Sequence, residues 1–382
     1  MNENKCFGLV TLFRNNYGSA LQCYAFKKTI EANGVHCQVL EEKLENSLSV
    51  STLFKKSRFL WYSLFYRGYL NKKIEMRNAM RAEEKLLNEQ SRIQINEFVN
   101  SELKPKSYCW KELLEIGRNK HYRGFFTGSD QVWNASRSIS DFYFLKFAPE
   151  YKRNTYAVSL GVAEIPKWNV SNVKKGVLPF STISVREKNT IKVLSKFGLK
   201  CSLECDPTVL MTKDEWKLFY KVFDYKTIIN SEYLFIHFIN EPNKVAVRWI
   251  KEISKLYNLK IICFGYKYDC ILNIKNAEFV DGDPKAYVAL IDNADFVCTD
   301  SFHTSIFSIN LQKDFYVFER QYLHSFPQTG RISDLLNEKN LTNRLITNIK
   351  EPEISRIDYS KIKGFDQERE HGKAYILKIL EK

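Results

Sequence analysis

The feature that most constrains this chain is a repeated alternation of short apolar runs with helix-length segments. Such runs stand at about 6–13, 35–40, 123–127, 155–160 and 181–185, then at 233–239, 259–264, 277–281, 295–299 and 314–319, bounded by Gly, Pro, Asn or Asp. Runs of strand length, bounded by chain breakers and spaced by helices, are the pattern of parallel βα units. The segments 19–32, 243–257, 284–293 and 302–310 supply the crossover helices. The alternation pauses after the Asp206-Pro207 turn and the Trp216 region and restarts at Tyr233, which predicts two successive α/β sheets. A length of 382 residues, beyond what one core usually organises, also favours two domains.

Composition narrows the class. Hydrophobic residues at 44% and charged residues at 27% exclude wholesale disorder and a fibrous or membrane protein. No run reaches the roughly 18 apolar residues of a membrane span. The run Cys6–Phe13, flanked by Lys5 and Arg14, lacks a small-residue cleavage signature and reads as a first strand rather than a signal peptide, so a cytoplasmic protein is expected. On that reading the sequons at Asn134, Asn169 and Asn340 carry no meaning. Nine cysteines, several inside apolar runs as at Cys263 and Cys298, read as reduced core residues. Cys201 and Cys205 have no second Cys or His pair nearby and fail the zinc template, so no metal is expected.

Lys and Arg exceed Asp and Glu by 58 − 44 = 14. That surplus suits nucleic acid, an anionic membrane face or small anions, and no nucleic-acid module is present to favour the first. Much of it lies between Lys55 and Arg92, interleaved with Phe59, Trp61, Tyr62, Phe65, Tyr66 and Tyr69. This stretch reads as an amphipathic helical excursion or as an interfacial helix against anionic lipid.

Ligands of open parallel sheets bind beyond the carboxyl ends of the strands, which selects a few loops. In Arg14-Asn15-Asn16-Tyr17-Gly18-Ser19, after the first strand, Gly18 permits a tight turn where free N–H groups could meet an anion. Thr127-Gly-Ser-Asp130-Gln131-Val-Trp133-Asn134 is a dense polar cluster after Phe125-Phe126. In Asp300-Ser301-Phe302-His303, Ser301 can cap a helix whose first turn carries His303 and whose dipole favours anions. His36, His121, His324 and His371 have no comparable setting, and His237 could border a cleft. Arg186, Arg331 and Arg344 offer the planar fork suited to carboxylate and phosphate.

Taken in order, Asn16-Tyr-Gly-Ser-Ala-Leu-Gln22, Thr127-Gly-Ser-Asp-Gln-Val-Trp-Asn134, Ser184-Val-Arg186-Glu187, Asp206-Pro-Thr208, Thr299-Asp-Ser-Phe-His303 and Arg331-Ile-Ser-Asp-Leu-Leu resemble the polysaccharide pyruvyl transferase family over roughly residues 6–345. The resemblance implies two Rossmann-like domains facing a cleft, GT-B-like. Residues 1–215 would form the first, acceptor-side domain with a helical insertion at about 53–100, and 216–360 the second, donor-side domain. Residues 361–382 would be a C-terminal helix returning to the first. It also implies phosphoenolpyruvate as donor, a glycan or lipid-linked sugar as acceptor, and no cofactor. His303 and Asp130 would then be catalytic, Arg186, Ser301, Arg331 and Arg344 donor-binding, and Asn16, Ser19, Gln131, Trp133 and Asn134 acceptor-binding. The Arg-x-His of many members is Ser301-Phe302-His303 here, and Arg331 or Arg344 would supply the missing cation. Two other functions fit the same architecture: a nucleotide-sugar glycosyltransferase, with Glu319 facing a ribose, and a non-catalytic glycan-binding protein.

Overall fold

The computed structural model describes residues 6–43, 71, 74, 86–223, 229–320, 329–347 and 351–381. Most of the basic aromatic stretch, and with it most of the insertion expected at 53–100, lies outside the described residues.

The first half runs β1 (Cys6–Val10), α1 (Tyr17–Glu31), β2 (His36–Glu42), α2 (Glu89–Phe98), β3 (Lys106–Tyr108), α3 (Trp110–Arg118), β4 (Tyr122–Thr127), β5 (Arg153–Thr155), α4 (Val170–Val177), β6 (Ile183–Val185), α5 (Lys188–Ser195), β7 (Cys201–Leu203), α6 (Pro207–Leu210) and α7 (Lys213–Tyr220). The second runs β8 (Tyr233–His237), α8 (Lys244–Tyr257), β9 (Lys260–Phe264), α9 (Asp269–Leu272), β10 (Ala277–Val280), α10 (Pro284–Asn293), β11 (Phe296–Thr299), α11 (Phe302–Asn310), β12 (Asp314–Phe318), α12 (Thr329–Glu338), β13 (Leu345–Ile346) and α13 (Asp366–Leu380).

Two parallel sheets result, ordered β3-β2-β1-β4-β5 and β10-β9-β8-β11-β12-β13, with β6-β7 as a separate parallel pair. The pair joins the first sheet's edge through one parallel bridge, Val158 to Val185. The expected strand at 155–160 therefore stops at Thr155, because Ala157 takes a left-handed φ of 47° that turns the backbone out of the ladder. In both sheets the chain builds outward on one side and then returns to start on the other. The reversals fall between β1 and β4 and between β8 and β11, which are the topological switch points where such sheets bind ligands.

Alternation along β1 divides the core. Phe7 and Leu9 face one side, in a hydrophobic cluster that continues without a break through both sheets to Leu380, while Cys6 and Val10 face a second cluster around Trp133 and Phe144. The halves meet through Tyr17, whose ring stacks on Tyr287 with centroids 5.0 Å apart and whose hydroxyl donates to the Gly282 carbonyl at 2.8 Å. Helix α13 packs on α1 and α6, with Tyr375 beside Tyr156 and Ile376, Ile379 and Leu380 buried.

Candidate functional site

At the first switch point Asn16 caps α1, its Oδ1 accepting from the Ser19 amide at 3.0 Å. Ser19 Oγ then donates to Asp130 Oδ2 at 2.8 Å. Asp130 reaches α1 because the loop after β4 folds tightly. Gly128 has a φ of 113°, and a Cβ there would lie 2.1 Å from the Tyr156 carbonyl oxygen.

At the second switch point Ser301 caps α11 through the Thr304 amide, which places His303 in the first helical turn. The imidazole crosses to the other half and lies on Gly18, where a Cβ would sit 2.2 Å from Nδ1. His303 Nε2 is 3.5 Å from Asp206 Oδ2. Asp206 caps α6, accepting at Oδ1 from the Thr208 amide (3.0 Å) and hydroxyl (2.7 Å), while its Oδ2 accepts from Arg186 Nη1 at 2.6 Å. Arg186, its side chain 2% exposed, also reaches Glu187 at 3.2 Å and Asp130 at 3.5 Å. Ser19, Asp130, Arg186, Asp206 and His303 thus form one buried polar chain spanning both halves. Phe302 lies beside it, with the guanidinium carbons of Arg186 and Arg331 at 4.8 and 5.3 Å from its ring centroid.

These contacts decide the charges. Burial alone would raise the Asp130 carboxyl, yet Arg186, His303 and Arg331 hold it below its ordinary value. Burial likewise opposes ionisation of Asp206, but His303, Arg186 and the Thr208 amide hold it far below the usual carboxylate range. Burial would lower Arg186, and Glu187, Asp206 and Asp130 together outweigh it and raise the group. The site therefore presents two ionised carboxylates, one beside a serine hydroxyl and one beside an imidazole. Such groups can accept and relay protons.

Of the residues expected from sequence, Ser19, Asp130, Arg186, Ser301, His303 and Arg331 come together. Asn16 and Ser301 spend their side chains on helix caps. Arg344 does not join them. Its guanidinium donates to the Ser355 (2.7 Å) and Arg356 (3.1 Å) carbonyls and lies over Tyr316, pinning the returning segment to the far side of the second sheet. Trp133 is a core residue, fully buried against Phe144 and Phe180 with Nε1 donating to the Tyr143 carbonyl at 3.0 Å. Gln131 and Asn134 bond to each other at 2.6 Å, and Asn134 accepts from the Ser136 amide at 3.0 Å, so both build the loop that carries Asp130. Arg186 answers three carboxylates and has little left for a bound anion.

Sequence reasoning gave Asp206 and Phe302 no role. The Asp-Pro-Thr signature of a capped helix was visible for Asp206, but its distance in sequence from His303 concealed the pairing. A cavity of about 380 Å³ opens beside the chain of polar groups, walled by Arg186, Asp206, Phe302 and Arg331 and closed by residues at the start of α13. Among the described residues no group of three or more His, Cys, Asp or Glu is placed to hold a metal ion.

Solved structures with the same architecture include UDP-GlcNAc 2-epimerase from Neisseria meningitidis bound to UDP-GlcNAc (TM-score 0.54, 9% identity, covering 98% of this chain and 99% of that one). The Methanocaldococcus jannaschii UDP-GlcNAc 2-epimerase in complex with UDP-GlcNAc and UDP is similar to it too (TM-score 0.51, 11% identity, 99% of each chain). At such identity the likeness speaks to fold alone, a GT-B-like pair of α/β units. No curated protein matches the chain in sequence. The sequence model of one family matches residues 16–322, which include Asn16, Ser19, Asp130, Arg186, Asp206 and His303, and on that match the chain belongs to the polysaccharide pyruvyl transferases.

Proposed function

We propose that the protein transfers a pyruvate group from phosphoenolpyruvate to two hydroxyls of a sugar in a cell-surface or exopolysaccharide precursor, forming a ketal. Family membership supports a polysaccharide-modifying transferase. The observation that carries the finer reading is His303, held in the first turn of a capped helix between Gly18 of one half and the Asp206 carboxylate. In the reaction the donor's methylene carbon gains a proton and becomes a methyl group. One sugar hydroxyl bonds to the adjacent carbon, the bond from that carbon to the phosphate oxygen breaks, and a second hydroxyl closes the ring. Two hydroxyl protons are released, one matching that taken up by the methyl carbon and one leaving with phosphate.

His303 is assigned the proton delivered to carbon, with Asp206 stabilising the imidazolium before delivery. Asp130 is the base for a hydroxyl, directly or through Ser19. Arg331 and the amino end of α11 are assigned the donor's anionic groups. Arg186 becomes the cation that keeps Asp130 and Asp206 ionised and apart from each other. The direct assay is phosphate release from phosphoenolpyruvate across a panel of nitrophenyl and lipid-linked sugars, with product mass. Acceptor-dependent release with an added pyruvate ketal supports the reading. Clear nucleotide-sugar turnover without such release would transfer the assignment to glycosyl transfer. Contact with an anionic membrane remains part of the proposal through the basic stretch between Lys55 and Arg92. Among the described residues no helix is long and apolar enough to cross a membrane.

A further inference from the structure

Resting on the reading above, we propose that the cavity between Phe302 and the start of α13 seats one sugar ring of the acceptor, held through its hydroxyls by Glu204 and Glu368. The volume, about 380 Å³, falls in the roughly 300–1,000 Å³ range of small-molecule sites. Away from Arg331, which is assigned to the donor, its charge does not suit a phosphorylated ligand. Six carboxylates line it against five Lys and Arg side chains, and most of those cations are already answered. Arg186 is engaged by three carboxylates, Lys188 pairs with Glu338 at 2.7 Å, and Lys339 pairs with Glu368 at 2.7 Å.

What two of the lining carboxylates lack is a full set of donors. Glu204, 2% exposed, spends Oε2 on His371 at 3.0 Å and leaves Oε1 buried with no hydrogen-bond partner among the described residues. Glu368 spends Oε1 on Lys339 and leaves Oε2 in the same condition. An unanswered buried carboxylate oxygen is costly, and an ionised carboxyl has acceptor capacity only. Burial pushes the Glu204 carboxyl up, opposed by His371 and by the nearby Ser202 hydroxyl. A polyol brings hydroxyl donors without bringing charge. The apolar side chains of Phe302, Ile306, Leu335 and Phe365 meet the C–H surface of a ring. The shared wall of Arg186 and Asp206 sets that ring beside the His303–Asp206 pair. None of the acceptor residues expected from sequence, Asn16, Ser19, Gln131, Trp133 and Asn134, lines this cavity, so the ring seated here is a neighbour of the one whose hydroxyl Asp130 serves.

The test is saturation-transfer NMR with the methyl β-glycosides of galactose, glucose and mannose on wild type, Glu204→Gln, Glu368→Gln and the cavity-filling Leu335→Trp. Phosphoenolpyruvate binding is followed separately by ³¹P line broadening. Wild type is expected to bind at least one glycoside, Leu335→Trp to abolish that binding, and each Gln variant to weaken it about tenfold by loss of a charged acceptor. Phosphoenolpyruvate affinity is expected to stay unchanged in the Gln variants. Glycoside binding that none of the three variants alters, or no glycoside binding to a wild type that binds phosphoenolpyruvate, would overturn the subsite. Variant-sensitive sugar binding without phosphoenolpyruvate binding would keep the subsite and overturn the donor. Should Glu204→Gln fail to fold, Glu368→Gln decides, since that side chain is 30% exposed.

Discussion

His303 and Asp206 make the most of a small distance. If the imidazole moves the proton, His303→Ala in folded protein lowers turnover by about 10²- to 10⁴-fold, and turnover within a few-fold of wild type would remove it from the chemistry. Asp206→Asn keeps the α6 cap and removes the anion that Arg186 and His303 share, and because Glu187 and Asp130 still answer Arg186 the expected loss is about 1–3 kcal/mol in urea unfolding. His237, buried at the end of β8, gives a pH signature elsewhere. Burial, assisted by Arg320 and only partly offset by the Phe264 carbonyl, lowers it to about 4. The unfolded chain therefore binds the proton first. Stability is complete above about pH 6.5 and falls as the pH drops through 6.5 to 4, by about 3 kcal/mol, and His237→Phe flattens that limb of a pH series of urea melts. Residue types were legible where a loop followed a strand, as with Asp130 and His303. The partners that set their charge were not, because Asp206 lies 97 positions from His303 and only folding joins them.

Among the elements, β1, β2, β4 and β8 to β12 were readable because each is built on an apolar run with a breaker at its end. β3, β7 and β13 were not. Lys-Ser-Tyr, Cys-Ser-Leu and Leu-Ile are too short and too mixed to show a period, and their pairing is supplied by the neighbouring strand. Helix starts were easier where Asn243, Asp283 and Ser301 cap by side-chain acceptance, whereas the helix expected at 19–32 starts at Tyr17 under the Asn16 cap and the turn expected at Asp206-Pro207 opens the short α6. Tyr17 shows what an element's first turn can do beyond starting it. The Phe variant loses the hydroxyl's bond to the Gly282 carbonyl and is expected to cost about 1 kcal/mol. The Ala variant also vacates the stack on Tyr287 and is expected to cost about 3–5 kcal/mol, measured by denaturant unfolding.

For the molecule as a whole, the hydrophobic cluster running from Phe7 to Leu380 joins two sheets that the sequence reading treats as separate domains. Heating is therefore expected to give one transition, coincident by calorimetry and tryptophan fluorescence, and two resolved transitions would show that the halves melt apart. The arrangement of His303 on Gly18 has a kinetic meaning as well. The group assigned to give a proton belongs to one sheet, and Asp130, assigned to take one, belongs to the other. Donor activation and acceptor activation are therefore connected only while the two sheets are packed together, and the same contact keeps both groups out of water.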